Sequence, residues 1–328
     1  MMATDAGQFS ARDLVKLRGR LLAWYDTNGR ELPWRKSCDP YRVWVSEIML
    51  QQTQVAVVEP RYERFVRRFR SVEALASATL EAVLAEWSGL GYYHRARNLH
   101  AAAQLIVRQR DSHFPASAEG WRKLPGVGQY TAAAVASIAF GEAVAAVDGN
   151  VERVLGRVLG REVAKRQACN AAQRMLDPER PGDFNQAMMD LGATVCTPSS
   201  PKCGECPIQR YCRTKGQVKL RKFRRRSRTL TAVYALVMRK GSVLLTKRTA
   251  SERLMPGMWE LPTAESSRSR EILFRLRHSI TKTNYLVSVA APTKLRRREA
   301  TWVRIARLQQ LPLTGLAKKI LSKANIIQ

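Results

Sequence analysis

The sequence predicts a mainly α-helical region followed by a smaller α+β domain, on three observations. From about Ser10 to Cys212, Ala-rich and Leu/Val-rich stretches recur with helical periodicity, punctuated by short Gly and Pro turns. A basic stretch follows, with seven Lys or Arg among the ten residues Lys219–Arg228. Beyond it the apolar runs become short and rich in β-branched residues, as strands do.

Asp39-Pro40 opens the first well-marked helix, with Asp as N-cap and Pro in the first turn. Ser71–Trp87, Ala96–Arg108, Thr131–Phe140 and Asn185–Val195 read as further helices. The stretch Lys219–Arg228 reads as a linker, a solvated tether that can also touch a polyanion backbone. Thr231–Val237 and Val243–Thr246 flank Arg239-Lys240-Gly241 and form a hairpin. Tyr285–Val289 and Ala300–Ile305 are further strands, and Leu316–Ser322 is a closing helix. No internal repeat is visible. The 328 residues suffice for two domains, expected as a helical region over 1–213, a linker over 214–228 and an α+β domain over 229–328.

Charge sets the class of partner. Lys and Arg number 56 against 27 Asp and Glu, a net of +29. Such a surface favours a polyanion by displacing counterions from phosphates, although some basic proteins are merely soluble. No apolar run reaches the ~18 residues of a membrane helix. Met1–Ser10 is polar and lacks the apolar core of a secretory signal. The expectation is a cytoplasmic protein, nucleoid-associated if bacterial, with no membrane partner. In a reducing compartment, six cysteines read as metal ligands or buried thiols rather than disulfides.

Four of the six follow C-x6-C-x2-C-x5-C, at Cys196, Cys203, Cys206 and Cys212. Cys38 and Cys169 stand apart as ordinary thiols. Intervening Pro and Gly let the chain reverse, so four thiolates can wrap one tetrahedral centre, and zinc or an iron–sulfur cluster satisfies that set. Upstream, Leu124-Pro125-Gly126-Val127-Gly128 forms a tight turn ahead of an Ala-rich helix from Tyr130. Its backbone N–H groups can hold a phosphate at the helix N-terminus. Glu47 sits in a helix with Val43, Trp44 and Leu50 on its face. A carboxyl among such side chains is buried, with a raised pKa that suits proton donation near neutrality.

The unequal cysteine spacing resembles the [4Fe–4S] loop of the endonuclease III superfamily of DNA glycosylases. Leu124–Gly128 resembles that superfamily's helix-hairpin-helix, with Gly126, Val127 and Gly128 on the DNA backbone. Val147-Asp148-Gly149-Asn150-Val151 stands where the family keeps its catalytic aspartate. The run Trp44–Val55 resembles the signature of the adenine-specific branch, the MutY glycosylases. Leu32-Pro33-Trp34-Arg35, Gly89-Leu90-Gly91-Tyr92-Tyr93 and Phe184–Gly192 match it in the same order. The resemblance implies a six-helix domain over about 31–145 and a cluster domain from 1–30 and 146–213.

It also implies a chemistry. Glu47 protonates a flipped adenine, Asp148 stabilises the cation-like sugar, Tyr130 assists and Asn150 orients the aspartate. Bifunctional members carry a lysine at the place of Tyr130, and tyrosine has no amine for a Schiff base. Trp34, Arg35 and Gln186 match positions lining the adenine pocket; Gln51, Leu90 and Tyr92 match positions beside the opposite oxidised guanine. The implied enzyme is a monofunctional adenine glycosylase with a [4Fe–4S] cluster. It would act as a monomer on duplex DNA carrying adenine opposite 8-oxoguanine or guanine. The competing readings are an endonuclease III-type glycosylase/lyase on oxidised pyrimidines and an inactive iron–sulfur DNA-binding protein.

From about Thr229 the chain resembles the Nudix-like domain that this family uses to read 8-oxoguanine, through Gly241–Leu245, Arg248 and Gly257–Pro262. The acidic helix of Nudix hydrolases is missing after Glu265, which argues against nucleotide hydrolysis. Where the family has a Phe-Ser-His run, this chain has Ile280-Thr281-Lys282, and Thr281 can keep the hydroxyl contact.

Overall fold

The computed structural model describes residues 9–110, 112–215, 228–249, 251–252, 254–264, 271–280, 283–291 and 300–327. In chain order its helices are α1 (Ala11–Asn28), α2 (Pro40–Leu50), α3 (Val55–Arg68), α4 (Val72–Ser77), α5 (Leu80–Glu86), α6 (His94–Arg110), α7 (Ala118–Arg122), α8 (Gln129–Phe140), α9 (Gly149–Leu159), α10 (Lys165–Met175), α11 (Pro181–Asp190) and α12 (Gly315–Lys323). The strands are β1 (Arg228–Ala235), β2 (Met238–Arg239), β3 (Ser242–Lys247), β4 (Trp259–Glu260), β5 (Glu271–Ile280), β6 (Thr283–Ala291) and β7 (Ala300–Arg304). The chain divides into two compact units. The first holds Met1–Val66, Ser71–Glu73 and Ala101–Arg221, the second Arg67–Arg70, Ala74–His100 and Lys222–Gln328. Of the basic stretch expected as a linker, residues 219–227 lie outside the described residues.

In the first unit, helix ends are fixed by side-chain caps. Ser10 and Asp13 close a capping box on α1. The Asp39 side chain accepts from the Arg42 amide at 2.8 Å and starts α2. One core joins Leu17 and Leu21 of α1, Val154 and Leu155 of α9, Ala172 of α10, and Phe184 and Met188 of α11. Each of these buried Leu, Val, Phe and Met side chains contributes about 1.5–3 kcal/mol relative to exposure. The buried alanines of α8, Ala132 to Ala136, let α2, α7 and α11 approach it closely. After Asp190 the helix widens into one π-helical turn, Leu191–Val195, which delivers the chain to Cys196.

The expected helix Ser71–Trp87 is broken in two. The Thr79 hydroxyl accepts from the Ala82 amide at 3.2 Å and caps a new helix, α5, after α4 has ended at Ser77.

In the second unit, β6 lies between β1, which it pairs in parallel, and β5, which it pairs antiparallel. A second sheet runs β2-β3-β4, with β7 also on β3. Val243, Leu245, Val287, Val289 and Val303 meet Leu316, Ile320 and Leu321 of α12 in one core. Strand β5 was not expected: its run of Arg275, Arg277 and His278 hides an alternation in which Leu276 faces inward.

Candidate active site

α2 is buried along most of its length, including Val43 to Met49, so Glu47 is a carboxyl group set among apolar side chains. It is 5% exposed, and its Oε2 has no hydrogen-bond partner. Burial pushes the Glu47 carboxyl up to about 7; the hydrogen bond with Tyr130 opposes this, and Asp148 adds to the rise. Burial, then Glu47 and Asp148, push the Tyr130 phenol far above its usual range, so it stays neutral. The Tyr130 hydroxyl also lies 3.4 Å from Met189 Sδ. Helix α8 places Tyr130 one residue inside its N-terminus, next to the turn in which Gly126 has φ 75°.

Asp148 is the N-cap of α9. Its Oδ1 accepts from the Asn150 and Val151 amides at 2.9 and 2.8 Å, and its Oδ2 from Asn150 Nδ2 at 2.9 Å. Three donors therefore fix the carboxylate, two of them on Asn150. Asn150 Oδ1 accepts from Arg153 Nη2 at 2.7 Å. Arg153 also donates to Gly192 O at 2.8 Å and Cys196 O at 3.0 Å. A hydrogen-bonded chain thus runs from Asp148 to the backbone of the first clustered cysteine. The loop before Asp148 is pinned by buried Asn185, whose Oδ1 accepts from the Ala146 amide and whose Nδ2 donates to Val144 O.

Glu47, Tyr130, Asp148 and Asn150 line one cleft of about 1030 Å³, together with Trp34, Arg35, Gln51, Gln186, Gly126 and Gly128. Val127, between those glycines, is buried. Trp34 is held edge-on to Tyr62, with ring centroids 5.3 Å apart. Gln51 Nε2 donates to Thr131 Oγ1 at 3.0 Å.

Reading the sequence missed Asp190, which governs Arg35. Its buried carboxylate accepts from Arg35 at 2.7 and 2.9 Å and from Arg30 at 2.6, 2.8 and 3.0 Å. Burial alone would raise Asp190, but Arg35 and then Arg30 outweigh it and hold the carboxyl below its usual range. The clue was an acid in the apolar run Ala187-Met188-Met189-Asp190-Leu191, where only a paired carboxylate is tolerated.

Leu90 and Tyr92 lie in the second unit; Leu90 is buried and Tyr92 is 36% exposed. Thr281 lies outside the described residues.

Cys196, Cys203, Cys206 and Cys212 ring a separate pocket, and none of them forms a disulfide. Burial, with the neighbouring cysteines, pushes Cys206 up to about 11. Four thiolates so close need a cationic centre to stay ionised. Arg157 adds positive charge, donating to Cys196 Sγ at 3.2 Å and to Cys196 O and Thr197 O. The donor set fits an iron–sulfur cluster.

Residues 45–177 match the model of the HhH-GPD superfamily of base excision DNA repair proteins. Residues 196–212 match the iron–sulfur binding domain of endonuclease III, so the chain carries a binding segment for a [4Fe–4S] cluster. The adenine DNA glycosylase of Homo sapiens is 48% identical over 221 residues, which cover 63% of this chain and 40% of that protein. The adenine DNA glycosylase of Arabidopsis thaliana is 43% identical over 237 residues, 62% of this chain and 38% of that protein. The chain therefore spans about two fifths of the length of these relatives. The structure of a thermostable thymine-DNA glycosylase superposes with a TM-score of 0.59 at 27% identity, over 62% of this chain and 97% of that one. Among the described residues, no helix is long and apolar enough to cross a membrane.

Proposed function

We propose that the chain is a monofunctional DNA glycosylase that excises adenine mispaired with 8-oxoguanine or guanine. The observation that carries this is Glu47: a buried carboxyl with an unpartnered oxygen and a pKa raised to about 7, sharing a cleft with Asp148. Near neutrality such a group holds its proton until a leaving base takes it.

The base is extruded from the duplex into the cleft, beside Trp34, Arg35 and Gln186. Glu47 protonates adenine N7, and the base leaves as a neutral molecule. The sugar becomes cation-like, and Asp148, held by Asn150, stabilises it electrostatically or through a transient covalent bond. Glu47, now ionised, draws the proton from the attacking water. Tyr130 supplies no amine, so no Schiff base forms and the backbone is not cut. Gln51, Leu90 and Tyr92 attend the opposite base. Cys196, Cys203, Cys206 and Cys212 would hold the [4Fe–4S] cluster, which supplies a rigid, charged cross-link for its loop. Residues 229–328 act as a Nudix-like domain that reads 8-oxoguanine, with Thr281 supplying a hydroxyl contact to the lesion. The enzyme acts as a monomer on duplex DNA in the cytoplasm.

The test uses duplexes with adenine opposite 8-oxoguanine, thymine glycol opposite adenine, or no lesion. Alkali-revealed cleavage is expected only in the adenine strand, and Glu47→Gln should abolish it while binding persists. Cleavage at thymine glycol, or at nothing, would reject the assignment.

A further inference from the structure

The helical segment Ala74–His100 and the C-terminal residues share one compact unit, and polar contacts tie them together. On α5, Glu81 Oε1 accepts from Trp259 Nε1 at 3.1 Å and from the Lys247 ammonium at 3.3 Å. Lys247 also sits over the Trp259 ring, 5.5 Å from its centroid. On α6, Arg97 Nη2 donates to Pro256 O. A methyl group at Gly257 would come within 3.3 Å of the same nitrogen, so the guanidinium grips that turn at close range. Between them Ser88, 3% exposed, brings its hydroxyl to 3.5 Å from Leu313 O.

These contacts fall on both sides of the loop Gly89–Tyr93, and that loop is built under strain. Gly89, Gly91 and Tyr92 have φ of 93°, 70° and 46°. The left-handed conformation is unfavourable for a non-glycine such as Tyr92 and persists only where the surroundings enforce it. Arg95 enforces it here. It is 3% exposed, donates to Leu90 O at 3.1 Å and Gly91 O at 3.2 Å, and lies over the rings of Trp87 and Tyr92. Trp87 Nε1 also donates to Gly91 O at 3.2 Å. Tyr92 thus presents a partly exposed ring on a backbone that is locked from beneath.

We propose that the C-terminal domain anchors this loop, with Glu81 and Arg97 as positioning residues that fix Tyr92 against the base opposite adenine. This rests on the adenine-excision reading above, in which Tyr92 attends that base. Discrimination between 8-oxoguanine and guanine is then set jointly by the C-terminal domain and by the loop it holds, because a pre-ordered aromatic spends none of its binding energy on ordering.

The experiment compares single-turnover excision of adenine opposite 8-oxoguanine and opposite guanine. The proteins are the full chain, a Glu81→Ala/Arg97→Ala double variant, Tyr92→Ala, and all three changes combined. The double variant should lose about tenfold of the preference for 8-oxoguanine, a typical coupling between sites, with its rate opposite guanine unchanged. Adding Tyr92→Ala should then cost little more, since the two changes remove one interaction. Glu81→Gln, whose amide oxygen still accepts from Trp259, should keep the preference, and melting temperatures should show all variants folded. Additive losses, or equal losses on both duplexes, overturn the anchor while leaving adenine excision standing. Failure of the unaltered chain on both duplexes overturns adenine excision itself.

Discussion

In the proposed mechanism Glu47 acts as an acid because it is badly solvated, and the same burial makes it a stability liability at high pH. Burial pushes its carboxyl up to about 7 in the folded chain from an ordinary value of 4.5. Between those two values the folded state holds a proton that the unfolded state has released. Stability is therefore fully present below about 4.5 and falls as pH rises through 7, by a total on the order of 3 kcal/mol. Glu47→Gln removes this titration while keeping the shape. The variant should match the native chain at pH ~4.5 and exceed it by up to about 3 kcal/mol above pH ~8. Urea denaturation at the two pH values measures the difference, and a gap that does not widen with pH would show that Glu47 is not desolvated in the native state. In the proposed mechanism excision uses the protonated form, so it should decline as pH rises through about 7.

The geometry of the proposed catalytic site depends on how closely two helices meet. At the end of α11, a Cβ on Gly192 would lie 2.7 Å from Asn150 Cβ and 3.2 Å from its carbonyl group. Gly192→Ala must push the start of α9 away and carry Asn150, with its two hydrogen bonds to Asp148, along with it. The expected cost is about 1–3 kcal/mol of stability from overpacking. A misplacement of about 1 Å is expected to slow excision up to about a hundredfold. Thermal melting and single-turnover rates check both, and full rate at unchanged stability would mean that the helices have slack at this crossing. Such crossings mark the boundary of what was legible in the sequence. The helix of Glu47 and its Asp39 cap were readable because periodicity and capping are local signals. The Asp190 pairs were not, because their partners Arg30 and Arg35 lie 160 and 155 residues away. Strand β5 escaped because its exposed face carries Arg275 and Arg277, which mask the apolar alternation of Leu276 and its neighbours. The break before α5 escaped because Thr79, a weak helix former inside an apolar run, turned out to be a cap.

At the scale of the whole molecule, a net charge of +29 must be answered by something outside the chain. If the chain is the proposed glycosylase and must find rare mispairs in a long duplex, much of that charge serves undamaged DNA, since phosphate contacts carry no sequence information. Charge of this kind announces itself through salt. If about six phosphates are neutralised, affinity for an undamaged duplex falls roughly a thousandfold between ~50 and ~200 mM salt, with a log–log slope near −5. Fluorescence anisotropy over that range measures the slope, and a value shallower than about −2 would mean that most of the charge stays clear of the DNA. Excision from a complex already formed should respond far less. Glu47 and Asp148 share a cleft whose buried carboxyl is shielded from bulk ions, so salt should act on the search and leave the bond-breaking step almost untouched.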